Sequence, residues 1–206
     1  MILDGASIKA MLEHDLIVAY RGNPEVKLTQ ADLQIGPNSV DVTLGDSIIA
    51  PTYEGGMVDP RDPESLKYYE MSKVKTPNGL AYMIMPGMVY LGFAAERFEV
   101  PGMMKLAGIP MVTHLVQMLD GRSTVGRIGI AVHVTAGFGD VGFSGNFTLE
   151  IVNFNRVPVL LYPGMRIGQV AFHCVTASGK QMLYNGAYKN NHTGRPVPPM
   201  LGPDRF

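Results

Sequence analysis

Proline and glycine cut this chain into short apolar runs at intervals of about eight to twelve residues, the rhythm of an all-β sandwich or barrel. With 24 glycines and 15 prolines among 206 residues, the breaks fall along the whole length. The opening is the exception. Residues 7–14 put Ile8, Met11 and Leu12 on one side of a short amphipathic helix. Residues 51–79, rich in Asp, Pro, Glu and Lys, read as an exposed hairpin with loops. Residues 190–206, NHTGRPVPPMLGPDRF with the Asn before them, read as a mobile tail. No internal repeat or linker argues for a second domain, so residues 1–206 are expected to form one.

Composition removes several classes of function. The chain is 46% hydrophobic and 17% charged, enough to bury a core without disulfides or a structural metal. No uninterrupted apolar run of about 18 residues predicts a membrane helix. The N-terminus lacks the basic head and apolar run of a signal peptide. The net charge of −1 gives no basic field to gather nucleic acid. The one cysteine, Cys174, lies in the apolar run VAFHCV and reads as a buried, inert thiol, which fits a reducing cytoplasm. An anionic ligand would need a local cluster of Arg, Lys and backbone N–H groups.

Such a cluster is written into residues 121–150, GRSTVGRIGIAVHVTAGFGDVGFSGNFTLE. Alternation over residues 127–135 predicts a strand with Ile128, Ile130, Val132 and Val134 on one face. A Gly-rich turn carrying Asp140 follows. A second apolar strand, NFTLEIVNF, then holds Glu150 in its middle. A carboxylate inside an apolar strand costs several kcal/mol, as an order of magnitude, unless paired. Arg127 is the natural partner. A structural cross-strand ion pair and a reactive carboxylate both satisfy this pattern. A zinc site needs a clustered His/Cys ligand set. The single Cys and the five histidines (14, 114, 133, 173, 192) show no ligand spacing, so no metal ligands and no zinc are expected.

The motifs GRSTVGR, HVTAGFGDVGFSGNFTLE and YPGMRIGQVAF closely resemble those of the dCTP deaminase family, a branch of the dUTPase-like trimeric nucleotide hydrolases. The family pattern runs G[KR]SS-x-x-R-x-G, TA-x-x-[IV]D-x-G[FW]-x-G, T-L-E and PGM-x-I-x-Q. QIGPNSVDVTLGDSI and MPGMVYLGFAAERFEVP resemble its earlier motifs, so the likeness runs from about Ile8 to about Tyr188. It implies a mainly β, distorted barrel or jelly-roll subunit of the dUTPase-like type. It also implies a homotrimer with active sites between subunits. Against the family, residues 101–118 (PGMMKLAGIPMVTHLVQM) are longer than the usual link, and read as a Met-rich insertion packing on a neighbouring subunit.

The resemblance also implies roles. Glu150 would take a proton from water, direct hydroxide to C4 of cytosine, and return protons to N3 and the leaving ammonia. Burial favours the neutral acid and an adjacent guanidinium favours the carboxylate, so one group can act as base and then acid. Arg127 and Ser123 would fix that carboxylate and the water. Arg122, Ser123, Thr124, Val125, Gly126 and Arg127 would cradle the triphosphate, although no Walker GK[ST] ending is present. Thr135, Ala136, Thr148 and Leu149 would lie along the base and sugar, and Asp140 would hold the 3′-hydroxyl or a nearby water. Gln169, Tyr184, Lys189 and Asn191 complete the implied nucleotide contacts. Asn191 stands where the family has Gln, and Ala187 where it has a lysine, with Lys189 a near replacement. Mg²⁺ would arrive with dCTP, held by phosphate and water.

Gly137, Phe138 and Gln169 match the subgroup that goes on to cleave dUTP to dUMP and pyrophosphate. Gly139 and Val141 depart from the family's Ile/Val and Pro, which would loosen the turn. A deaminase releasing dUTP, a dUTPase and a non-catalytic nucleotide-sensing trimer are the alternatives. The position of Glu150 disfavours the dUTPase.

Overall fold

The computed structural model describes residues 1–52, 56–100, 104–105, 112–176 and 182–202. The N-terminal helix spans Gly5–Glu13 and buries Ile8, Met11 and Leu12, the side read from the sequence. Asp4 starts it: its carboxylate accepts from the Ser7 N–H at 2.8 Å, satisfying a donor left free in the first turn. The rest is mainly strand. A seven-stranded sheet runs Ile130–Ala131, Gly145–Asn153, Val89–Glu99, Val18–Arg21, Val26–Leu28, with Ile49–Thr52 and Lys67–Glu70 joined through Val89–Glu99. A five-stranded sheet carries Phe138–Gly139, Val112–Gly121, Arg166–Thr176 and Val40–Thr43 in that order, with Met104–Lys105 beside Val112–Gly121. A three-stranded sheet holds Val159–Leu161, Gly79–Ile84 and Val74–Thr76.

The mainly β expectation holds. The barrel does not: among the described residues no sheet closes on itself, and the strands form three open sheets. Their inner faces share one core, in which Leu44, Phe98, Leu115, Leu149, Ile151, Ile167 and Phe172 are at most 2% exposed. Leu149 and Ile151 alternate with Thr148, Glu150 and Val152 along Gly145–Asn153, so one face of that strand is core and the other faces outward. Truncating either core residue to alanine would cost about 2–5 kcal/mol.

Glu96 is the most deeply buried carboxylate, at 1% exposed. Arg21 donates to it from Nε (3.0 Å) and Nη2 (2.7 Å), and Thr43 from its backbone N–H (2.6 Å) and hydroxyl (2.9 Å). One carboxylate thus ties strands from both large sheets, and losing a partner would strand a buried charge.

Two segments differ from the sequence reading. GRSTVGR is a short helix, Ser123–Arg127, and only Ile130–Ala131 of the expected strand forms. Gly129 adopts φ +74°, a left-handed conformation that ends the alternation, and leaves Ile128 (44%) and Val134 (56%) exposed while Ile130 and Val132 are buried. Residues 112–118 pack on this chain rather than standing out toward a neighbour. They belong to Val112–Gly121, a strand paired with Arg166–Thr176 from Thr113 to Gly121, and Leu115 and Val116 pack into this chain's own core. The rest of that Met-rich stretch, apart from Met104–Lys105, lies outside the described residues. Cys174 is partly buried against the core. Residues 51–79 carry the expected exposed hairpin, Ile49–Thr52 with Lys67–Glu70. No helix among the described residues is long and apolar enough to cross a membrane.

Candidate active site

A half-open cleft of about 610 Å³ lies on the outward face of Gly145–Asn153. Asn146, Thr148 and Glu150, at every second residue of that strand, form its floor. The segment from Val134 to Asp140 makes one wall, through Val134, Thr135, Ala136, Phe138 and Asp140. Phe143, Phe147 and Tyr184 form an aromatic side: the two phenyl rings lie 5.0 Å apart and tilted, and Tyr184 meets Phe143 edge-on at 6.1 Å. Such a space suits a flat heterocycle with a sugar.

Glu150 does not pair with Arg127. Its Oε2 accepts the backbone N–H of Val134 at 2.7 Å. Among the described residues no other hydrogen bond to Glu150 is present, so its second oxygen is open to a ligand in the cleft. The backbone donor fixes the carboxylate without neutralising it, which a reactive carboxylate needs and a structural one does not. Arg127 and Ser123 are exposed on their short helix and line no part of the cleft.

The segment after Leu183, expected to be mobile from about residue 190, closes the far side. The Tyr184 N–H donates to the Val141 carbonyl (2.8 Å), the Asn146 N–H to Asn191 O (2.8 Å), and the Val197 N–H to Thr148 Oγ1 (3.2 Å). His192 Nε2 meets Ser144 Oγ at 2.9 Å. Ser144 in turn belongs to a cluster with Glu99 and the nearly buried Arg97, which also binds Glu25. The Glu99 carboxyl feels burial pushing it up, but the Ser144 and Arg97 hydrogen bonds prevail and hold it below its ordinary value. Tyr184, Tyr188, Asn191, Val197 and Pro199 thereby reach the cleft. Lys189 does not line it.

The remaining residues singled out from the sequence gather elsewhere. Arg122, Asp41 and Arg166 form one cluster: Asp41 Oδ2 accepts from Arg122 and, at 3.3 Å, from Arg166. Burial, and then the like charge of Arg166, lower the Arg122 guanidinium from its ordinary value. Gln169 stands beside it, accepting from Ser39 Oγ (2.8 Å) and donating to Gly121 O (3.2 Å) just before the Ser123–Arg127 helix. The residues singled out from the sequence thus fall into two groups. One is the cleft with Glu150, Asp140, Thr135, Ala136, Phe138, Thr148, Tyr184 and Asn191. The other is a basic cradle of Arg122, Ser123, Thr124, Gly126, Arg127 and Gln169. Val125 (3%) and Leu149 (0%) spend their side chains on the core, leaving only backbone for a ligand.

Sequence reasoning found Tyr184 of the aromatic side but missed Phe143, Phe147 and Asn146. The period-2 pattern of Gly145–Asn153 would have given Asn146 from Glu150, but Phe143 and Phe147 look like ordinary core aromatics in sequence. Gly139, a departure from the family pattern, has a steric reason. A Cβ there would lie 2.9 Å from Phe147 Cζ and 3.2 Å from Phe143 Cδ1, so the aromatic pair occupies the space a β-branched residue would take. Gly137 is tighter still: its Cβ would meet Leu119 O at 2.4 Å. It faces a neighbouring cleft of about 560 Å³, with Phe138 and Thr135 forming the wall between the two.

Comparison with known proteins identifies the family. The profile of the dCTP deaminase-like family matches residues 2–175. A "dCTP deaminase, dUMP-forming" of Dictyoglomus turgidum is 37% identical over 195 residues, covering 93% of this chain and 90% of that protein. Proteins of the same name from Coprothermobacter proteolyticus (37% over 192 residues; 90% and 91% covered) and Methanobrevibacter smithii (36% over 176; 85% and 81%) are similar to it as well. Among solved structures, that of 2′-deoxycytidine 5′-triphosphate deaminase from Agrobacterium tumefaciens aligns with TM-score 0.51 at 20% identity, a likeness of fold. It covers 85% of this chain, which spans 48% of the length of that one.

Proposed function

The chain belongs to the dCTP deaminase-like family, and on that footing we propose that it removes the cytosine amino group of dCTP as ammonia and then cleaves the resulting dUTP to dUMP and pyrophosphate in the same site. The observation that carries this reading is Glu150, with one oxygen held by the Val134 N–H in a cleft of nucleoside size and the other open.

In the first step Glu150 takes a proton from a water lying over C4 of the base, and the hydroxide forms a tetrahedral centre at C4. The same carboxyl returns that proton to N3. Glu150 then takes the proton of the new C4 hydroxyl and passes it to N4, collapse of the centre breaks the C4–N4 bond, ammonia leaves, and uracil results. Backbone groups around Thr135 and Ala136 are fixed dipoles for the base edge, and fixed dipoles stabilise developing charge without reorganisation. The aromatic side, Phe143, Phe147 and Tyr184, receives the ring and sugar. In the second step a water oriented by Asp140 attacks the α-phosphorus in line, and pyrophosphate departs. The glycine at position 137 supports this second step, as does the name shared by the relatives above.

Charge supports an assembly. No Lys, Arg or His among the described residues lines the cleft, and two carboxylates, Glu150 and Asp140, do. A triphosphate bound there needs cations from outside it. The exposed cradle of Arg122 and Arg127 supplies them if a second copy of the chain presents it over the cleft. A homotrimer does so three times, each site taking Glu150 from one subunit and Ser123 and Arg127 from the next. Arg127 then pairs with Glu150 between subunits, where within one chain it does not. We read the deamination as zinc-free. Mg²⁺ would come as a companion of the substrate, held by phosphate oxygens and water. Its chemistry is neutralisation of charge on the pyrophosphate leaving group. A cytoplasmic setting fits such a substrate.

A time course from dCTP with Mg²⁺, resolving ammonia, dUTP, dUMP and pyrophosphate, tests the reading. Equal amounts of ammonia, dUMP and pyrophosphate support it. Stoichiometric dUTP without pyrophosphate removes the second step, and absence of ammonia removes the first.

A further inference from the structure

We propose that Arg166 is a further phosphate-binding cation of the cradle, and that it makes the site select a triphosphate over shorter phosphate chains. The assignment rests on the reading of the chain as acting on a deoxynucleoside triphosphate.

Arg166 begins the Arg166–Thr176 strand, and the register of that strand shifts between Arg166 and Gly168 as it runs beside Val40–Thr43. It shares the Asp41 Oδ2 oxygen with Arg122, the residue that matches the family's phosphate-handling arginine. The two guanidiniums are not equivalent. The Arg122 side chain is 25% exposed, whereas that of Arg166 is 52% exposed and bonded to Asp41 only through Nη1 at 3.3 Å, leaving most of its donors free. A single carboxylate cannot neutralise both. The neighbouring acid, Asp120, is turned to its own Gly121 N–H (2.7 Å) and toward His133 (3.9 Å). Asp41 and Asp120 balance the two guanidiniums in net charge, but Arg166 alone keeps most of its donors unused and facing solvent.

Those free donors match what the cleft lacks: no Lys, Arg or His among the described residues lines it, and Lys189 stays outside it. A chain of three phosphates carries about four negative charges at neutral pH and a single phosphate about two. With Arg127 engaged by Glu150 in the assembled site and Asp41 offsetting Arg122, the distal phosphates would be poorly neutralised without Arg166. Arg166 adds the missing charge on the cradle side, and guanidinium donors suit phosphate oxygens.

The test replaces Arg166 by Gln and by Lys in the full chain, with two readouts. Steady-state kinetics with dCTP should show KM raised about tenfold in Arg166→Gln, more than kcat falls, with Arg166→Lys recovering part of the loss. Calorimetric titration with inorganic tripolyphosphate should show a similar weakening, and titration with inorganic monophosphate a change of less than about twofold. Equal weakening for both anions, or none for tripolyphosphate, overturns the assignment. The titrations do not depend on turnover. A native protein that releases no ammonia from dCTP but binds tripolyphosphate through Arg166 would refute the proposed reaction and leave this inference standing.

Discussion

If each active site joins the cleft of one subunit to the cradle of the next, two inactive variants should restore each other. Glu150→Gln damages the cleft and leaves the cradle intact; Arg127→Ala does the reverse. Each variant alone should retain no more than about a hundredth of native activity, since loss of a positioned acid–base group costs about 10²–10⁴-fold. The structure sets the size of the rescue. Glu150 is half-buried in the cleft, Arg127 is exposed outside it, and among the described residues no hydrogen bond or ion pair connects them within one chain. When the two chains are co-expressed in equal amounts and assemble at random, about half of all clefts carry Glu150 and about half of the adjoining cradles carry Arg127. About a quarter of all sites are then intact, and one site in three within trimers that carry both chains, which is at least about 30-fold above either parent. The assay is ammonia release from dCTP by trimers carrying both chains, isolated through a different tag on each. Activity that stays at the parental floor in such mixed trimers would refute the two-subunit site and return both residues to one chain.

Gly137→His should reduce dUMP formation about 10²-fold while reducing deamination less, so that dUTP accumulates; the Cβ would press on Leu119 O from 2.4 Å and displace the turn that carries Asp140. Parallel loss of both activities would show instead that the turn serves only the fold. Chelation with EDTA should stop turnover and Mg²⁺ alone restore it, whereas stoichiometric zinc required for activity would contradict the scheme. Burial pushes the Tyr82 hydroxyl up to about 12, with Glu70 and Asp46 adding to it. The raised value favours the neutral folded form, so this contribution to stability is full below about pH 10 and lost as pH rises through about 12. Alkaline unfolding of the native protein should start above pH 10 for this reason, and Tyr82→Phe should flatten the profile in that window.

What the sequence disclosed depended on the range of the interaction. The Gly5–Glu13 helix was readable because Ile8, Met11 and Leu12 repeat with its period. The strand holding Glu150 was readable because apolar and polar residues alternate through it. GRSTVGR was not readable as a helix: five residues containing Ser, Thr, Val and Gly carry little helix preference, and the helix stands on the burial of Val125. The alternation after it was a false strand signal, interrupted by the left-handed Gly129. Barrel closure was overstated because alternation reports faces and not partners. The pairing of Val112–Gly121 with Arg166–Thr176, and the capture of Glu96 by Arg21 across 75 residues, are set only in three dimensions. The site divided in the same way. Glu150 and Asp140 were legible from resemblance, but the Val134 N–H on Glu150 was not, because a backbone donor leaves no trace in the residue type.

The central claim is that Glu150 is the proton-transferring group of deamination, and Glu150→Gln tests it most directly. The amide keeps the shape and one acceptor for the Val134 N–H, so the cleft should still bind dCTP. Nucleotide binding by calorimetry and ammonia release should be measured on the same preparation. The account predicts near-native affinity with ammonia release reduced about 10²–10⁴-fold. Ammonia release above a tenth of the native rate, with binding intact, would contradict it and leave Glu150 a structural residue.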